Sequence, residues 1–129
     1  MEQNEIYFDR KIYNTMLKWK SERSGDTALL IQGARRIGKS TIAQEFARKE
    51  YKSYILIDFS KVSKEVSDLF NDISDLNYLV LRLQFIYQVQ LYERESVIIF
   101  DEVQLQPYAR QAIKHLVKDH RYDYIETGS

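Results

Sequence analysis

The sequence contains no cysteine. That excludes disulfide frameworks, thiolate zinc sites and cysteine nucleophiles together, and it fits a reducing cytoplasm. There is one proline, Pro107, and no Pro- or Gly-rich linker, low-complexity tract or internal repeat. A chain of 129 residues without such punctuation is the size of one domain. No charge of one sign prevails: nineteen basic residues balance nineteen acidic ones, and no cluster of Lys and Arg marks a surface for nucleic acid or anionic lipid. No apolar run approaches the ~20 residues needed to span a bilayer. The opening Met1-Glu2-Gln3-Asn4-Glu5 is acidic and polar, the opposite of a secretory signal. His115 and His120 lack partners at metal-ligand spacing. What is present, 44% hydrophobic and 29% charged residues, is the composition of a soluble globular domain. At this length folding hides roughly two-thirds of the unfolded surface, enough for a real core. The expectation is a cytoplasmic domain with no membrane segment and no nucleic-acid signal.

Hydrophobic periodicity organises the chain. Ile6, Tyr7, Ile12, Tyr13, Met16, Leu17 and Trp19 recur near helical spacing over the first twenty residues, and Ser21 to Asp26, with Gly25, reads as a turn. Four short apolar runs follow: Ala28–Ile31, Tyr54–Ile57, Val97–Phe100 and Tyr122–Thr127. Nearly continuous apolar runs of this length suit parallel strands buried on both faces. Between them lie helical stretches from Ser40 to Tyr51, from about Lys61 to Leu91, and from Pro107 to Lys118. Pro107 suits a first helical turn, where its missing N–H costs nothing. The middle stretch reads as two helices, with Ser74 or Asp75 capping the second. Strand and helix alternate, so the predicted fold is α/β, three layers, with a parallel sheet of about four strands. Residues 1–26 form a helix and turn leading into a core at 27–129. The helix Leu76–Leu91 is apolar around much of its circumference. It reads either as a core helix or as a half-exposed face for a protein partner.

The segment Gly33-Ala34-Arg35-Arg36-Ile37-Gly38-Lys39-Ser40 fits G-x-x-x-x-G-K-[ST], the Walker A phosphate loop, without a mismatch. Each residue type has a reason. Gly33 and Gly38 permit backbone angles and close approach that a Cβ would block. Main-chain amides of Gly33 to Ile37 wrap a phosphate, Lys39 reaches the β- and γ-phosphates of ATP, and the Ser40 hydroxyl ligates Mg²⁺. Thr41 adds a hydroxyl near the α-phosphate. Arg35 and Arg36 read either as phosphate contacts or as solvated surface. The motif follows an apolar strand and opens an amphipathic helix with Ile42, Phe46 and Ala47 on one face, which is the setting the mechanism requires.

Some sixty residues on, Val97-Ile98-Ile99-Phe100-Asp101-Glu102 is an apolar strand ending in two carboxylates. Asp101 is the candidate for the metal shell beside Ser40. Glu102 adds a base able to orient or deprotonate attacking water. The pair favours an ATPase over a small-molecule kinase, which would use its acids to grip an acceptor. It also predicts that the last strand lies between the first strand and the Asp101 strand. That last strand ends in Thr127-Gly128-Ser129, where Ser129 or Thr127 reads either as a sensor of the γ-phosphate or as part of a simple turn.

The runs Leu30–Ser40, Ile98–Gln104 and Glu126–Ser129 together resemble one family, the prokaryotic AAA+-like ATPases that carry a C-terminal domain of uncharacterised function. The resemblance spans nearly the whole chain but only the N-terminal part of a typical member. It implies an ATPase core with Lys39, Ser40, Asp101 and Glu102 in the roles above, Arg35 at the family's loop arginine, and Ser129 near the sensor position. Gln104 then reads as positioned by the site, or as a plain surface glutamine. Because the family continues into a fifth strand, a lid and the C-terminal domain, the first strand is expected at an open sheet edge. The segment Arg10–Tyr13 is placed near the adenine by analogy with that family. The expected activity is hydrolysis of ATP with Mg²⁺, Lys39 and Glu102 being catalytic. The alternatives are a nucleotide-gated switch that binds a protein partner or the missing C-terminal domain, and a small-molecule kinase.

Overall fold

The computed structural model describes residues 2–32 and 38–128, with side chains from Arg10 onward. Within them five helices alternate with four strands: α1 (Glu2–Glu22), β1 (Leu29–Gln32), α2 (Lys39–Glu50), β2 (Ser53–Asp58), α3 (Lys64–Leu69), α4 (Leu76–Tyr87), β3 (Ser96–Asp101), α5 (Pro107–Asp119) and β4 (Asp123–Gly128). The strands form one parallel sheet in the order β1-β4-β3-β2. The last strand therefore lies between the first strand and the Asp101 strand, as the two motifs require. Among the described residues β1 is an edge strand, and Leu30 stands 43% exposed there.

Alternation along the strands sorts the core into two halves. The register aligns Leu56, Ile99, Ile125 and Leu29 across the sheet. This row packs with Met16 and Trp19 of α1 and Ile42, Ala43, Phe46 and Ala47 of α2. The neighbouring positions Ile55, Ile57, Ile98, Phe100 and Tyr124 face the other way, onto α3, α4 and α5. Helices thus cover both faces. All six residues of β3 are buried, which is why its middle, Val97–Phe100, is continuously apolar. Truncating an isoleucine there to alanine costs about 2–5 kcal/mol.

Local signals set the helix starts. Ser63 Oγ accepts from Val66 N at 3.2 Å and Asp75 Oδ1 from Tyr78 N at 3.0 Å, so Asp75 is the cap of α4. Pro107 opens α5. The middle stretch is less helical than its periodicity predicts. Gln88 adopts a left-handed backbone, φ 56°, and ends α4 before Leu91. The Gln84 side chain then accepts from Leu91 N at 2.8 Å, and Leu91 enters the core from a loop. α4 is a core helix on one face and exposed on the other: Leu79, Val80 and Leu83 are buried, while Tyr78, Leu81 and Phe85 are exposed. Among the described residues no helix is long and apolar enough to cross a membrane.

Candidate functional site

The carboxyl ends of the strands gather the polar residues that the apolar runs lead into. Gly38 precedes α2 in the left-handed region, φ 63° and ψ 45°, a conformation strained for a residue with a Cβ. The next residue, Lys39, is buried at 4% exposure, and its Nζ donates to the Gly128 carbonyl at the tip of β4, 2.8 Å away. A lysine this buried at the start of a helix is held across the sheet end rather than extended into water. Ser40 follows on the same turn, its Oγ accepting from Gln44 Nε2 at 3.4 Å. Thr41 is exposed on the first turn of α2.

Asp101 ends β3 at 7% exposure. The hydroxyl of Thr127, wholly buried on β4, donates to Asp101 Oδ1 and accepts from the Glu102 backbone N–H at 3.1 Å. One hydroxyl thereby fixes both the Asp101 carboxylate and the main chain that carries Glu102. Glu102 itself adopts a left-handed backbone, φ 56°, which turns the chain off the strand into the short 3-10 turn Val103–Leu105. The Gln104 amide returns to donate to Glu102 Oε1 at 2.8 Å.

The electrostatics of this tip are unusual. Burial raises the Asp101 carboxyl above the ordinary carboxylate range; the Thr127 hydroxyl draws it back, Asp58 and Glu102 push it up further, and the nearby Ser40 hydroxyl opposes them. Asp58 ends β2 in register with Asp101, and the Phe59 N–H donates to the Asp101 carbonyl at 2.9 Å. Around Asp101 stand hydroxyls and further carboxylates, an all-oxygen donor set that fits a hard cation such as Mg²⁺. Among the described residues no group of three or more carboxylate or imidazole ligands forms a cage.

Of the residues singled out in the sequence, Lys39, Ser40, Asp101 and Glu102 come together at this sheet end, with Gly38 beside them. Gly33, Ala34, Arg35, Arg36, Ile37 and Ser129 lie outside the described residues. Thr127 is buried, and its hydroxyl anchors Asp101. Tyr13 is not near this end. Its hydroxyl donates to Glu50 at 2.8 Å, at the far end of α2, about 16 Å of helix away from Lys39. Its ring packs edge-on to Phe46, so the adenine placement fails for Tyr13. Asp58 was missed, although its signal was present: Tyr54–Ile57 ends in Asp58 as Val97–Phe100 ends in Asp101.

A family model described as an AAA domain matches residues 25–129. Nothing matches among the curated proteins or the solved structures.

Proposed function

Since the chain belongs to the AAA domain family, we propose that it is the ATP-binding core of an ATPase that hydrolyses ATP to ADP and phosphate with Mg²⁺. The observation that carries the reading is the meeting of Lys39, Ser40, Asp101 and Glu102 at one sheet end, clamped by the Thr127 hydroxyl. The segment Gly33–Gly38 supplies main-chain amides to the phosphates. Lys39 exchanges the Gly128 carbonyl for the β- and γ-phosphate oxygens. Ser40 and Asp101 would hold Mg²⁺, which would supply charge to neutralise those oxygens. Glu102 orients a water and takes its proton. The water oxygen bonds to the γ-phosphorus as the bond to the β,γ-bridging oxygen breaks, and ADP leaves. Ser129, next to the carbonyl that Lys39 grips, is assigned to the γ-phosphate.

The test is phosphate release from ATP–Mg²⁺ without any acceptor. Wild type should release phosphate, and Glu102→Gln should lose roughly 10²–10⁴-fold while still binding nucleotide, the range a positioned general base supplies. Release retained by Glu102→Gln would remove Glu102 from this role. Release that requires an added acceptor would indicate a kinase. Strong nucleotide-dependent binding to a protein partner with almost no release would indicate a switch.

A further inference from the structure

We infer that Gln104 is a positioning residue for Glu102, and that Gly128 is glycine to leave room for it; the catalytic consequence rests on the ATPase reading above. The Gln104 side chain has two polar atoms, and both face the site. Its Nε2 donates to Glu102 Oε1 at 2.8 Å. Its Oε1 lies against Gly128, so close that a Cβ built there would stand 3.1 Å from it. That contact is tighter than nine in ten such contacts, so a side chain at 128 would push the Gln104 amide by a few tenths of an ångström.

An exposed side-chain hydrogen bond two residues apart would by itself be a surface detail, since such pairs contribute little to stability. Gly128 argues otherwise. The chain has only four glycines. Gly25 and Gly38 use theirs for positive φ, whereas Gly128 has ordinary strand backbone paired with Gln32. Gly128 ends β4 without the positive φ that calls for glycine at 25 and 38. What its missing side chain spares is the space that Gln104 fills. The same residue presents the carbonyl that Lys39 grips.

Gln104 therefore bridges two groups of the site. On one side is the carboxylate assigned to water, on the other the strand tip held by the ammonium assigned to phosphate. The turn at 103–105 exists because Glu102 takes a left-handed backbone, and that turn is what brings Gln104 back over Glu102. Glu102 is thus held at its main chain by Thr127 and at its side chain by Gln104. A carboxylate on a flexible stem is fixed by both contacts in a way neither achieves alone.

The experiment is steady-state ATP hydrolysis and nucleotide affinity for Gln104→Ala, Gln104→Glu, Gly128→Ala and the double variant Gln104→Ala/Gly128→Ala. Gln104→Ala should lower kcat about tenfold and leave nucleotide affinity unchanged, short of the loss expected for Glu102→Gln. Gln104→Glu, similar in shape but without the donor, should lose at least as much. Gly128→Ala should lose a few-fold, and should cost nothing further once Gln104 is alanine, because its effect passes through that side chain. Unchanged or faster turnover in Gln104→Ala, a parallel loss of nucleotide affinity, or additive losses in the double variant would overturn the inference. A second readout separates its failure from that of the ATPase reading. The side-chain amide resonance of Gln104, assigned by its disappearance in Gln104→Ala, should move in Glu102→Ala. A resonance that does not move would overturn the pairing whatever the turnover. A wild-type protein that releases no phosphate would sink the ATPase reading, and the catalytic role of Gln104 with it.

Discussion

Two buried aspartates stand at opposite ends of the same sheet, and their surroundings differ in kind. Asp123 begins β4 at 4% exposure. The Arg94 guanidinium donates to one of its oxygens at 2.7 Å and the Tyr51 hydroxyl to the other at 2.5 Å. Burial and the bond to Asp123 hold the Tyr51 phenol far above its ordinary range. Arg94 also reaches the His120 carbonyl, and His120 Nδ1 lies 2.9 Å from the Gly25 carbonyl. This end carries its own countercharge and ties the turn after α1 to the sheet. Asp101 ends β3 at similar burial, yet it meets hydroxyls from Thr127 and Ser40 and the repelling charges of Asp58 and Glu102. Among the described residues, Asp123 meets a guanidinium, whereas carboxylates push up the Asp101 carboxyl. The first arrangement serves stability. The second costs stability and suits a cation brought with a ligand.

That contrast can be broken from either side. The largest effect is expected from Asp101→Asn, which should cut Mg²⁺-dependent phosphate release a hundredfold or more, because metal neutralisation is worth several kcal/mol and each 1.36 kcal/mol is about tenfold. Next comes Arg94→Ala at the closed end. It strands the Asp123 carboxylate and should lower unfolding stability by roughly 2–3 kcal/mol, the partial exposure of Arg94 keeping it below the full range for buried pairs. Nucleotide affinity, measured on the folded protein, should stay the same. The comparison sharpens if Asp101→Asn is then unfolded in urea. Its stability should hold or rise by up to about 1 kcal/mol, since repulsion is relieved while the amide oxygen still accepts from Thr127. A large loss there would mean that the two ends are not different after all.

The smallest effect is expected at Tyr13. Burial and the bond to Glu50 push its phenol up to about 12, whereas an unfolded tyrosine titrates near 10. A raised folded-state value means stability that is whole below about pH 10 and lost as pH rises toward 12. Tyr13→Phe should cost about 0.5–1 kcal/mol at neutral pH and flatten the decline between those values, as read from urea midpoints.

Much of this fold was legible because its signals are local. Three nearly continuous apolar runs could be little else than buried parallel strands, and Asp75 and Pro107 mark helix starts by their own chemistry. The order of the strands followed from the adjacent Asp101 and Glu102, read as the mark of ATPases that insert a strand between the first strand and the acidic one. What was hidden is what depends on distant partners. Thr127 reads as a strand-end polar residue until its hydroxyl is seen on Asp101, 26 positions earlier. Gln88 carries no glycine-like signal for its left-handed turn, so α4 was drawn too long. Gly128 gave no hint of Gln104, because its glycine answers to a side chain and not to its own backbone. Tyr13 was misplaced by analogy, where its packing on Phe46 was the better guide.

The central claim is that the Lys39 ammonium and the loop before it grip a nucleoside triphosphate at the carboxyl ends of these strands. The most direct measurement is the thermal shift of wild type and Lys39→Ala with ATP–Mg²⁺, GTP–Mg²⁺ serving to rank the bases. At a hundredfold excess over Kd, wild type should gain about 2.7 kcal/mol, a rise of several degrees in Tm, while Lys39→Ala should not move. A wild type indifferent to every nucleotide, or a Lys39→Ala variant that shifts as far, would contradict the account.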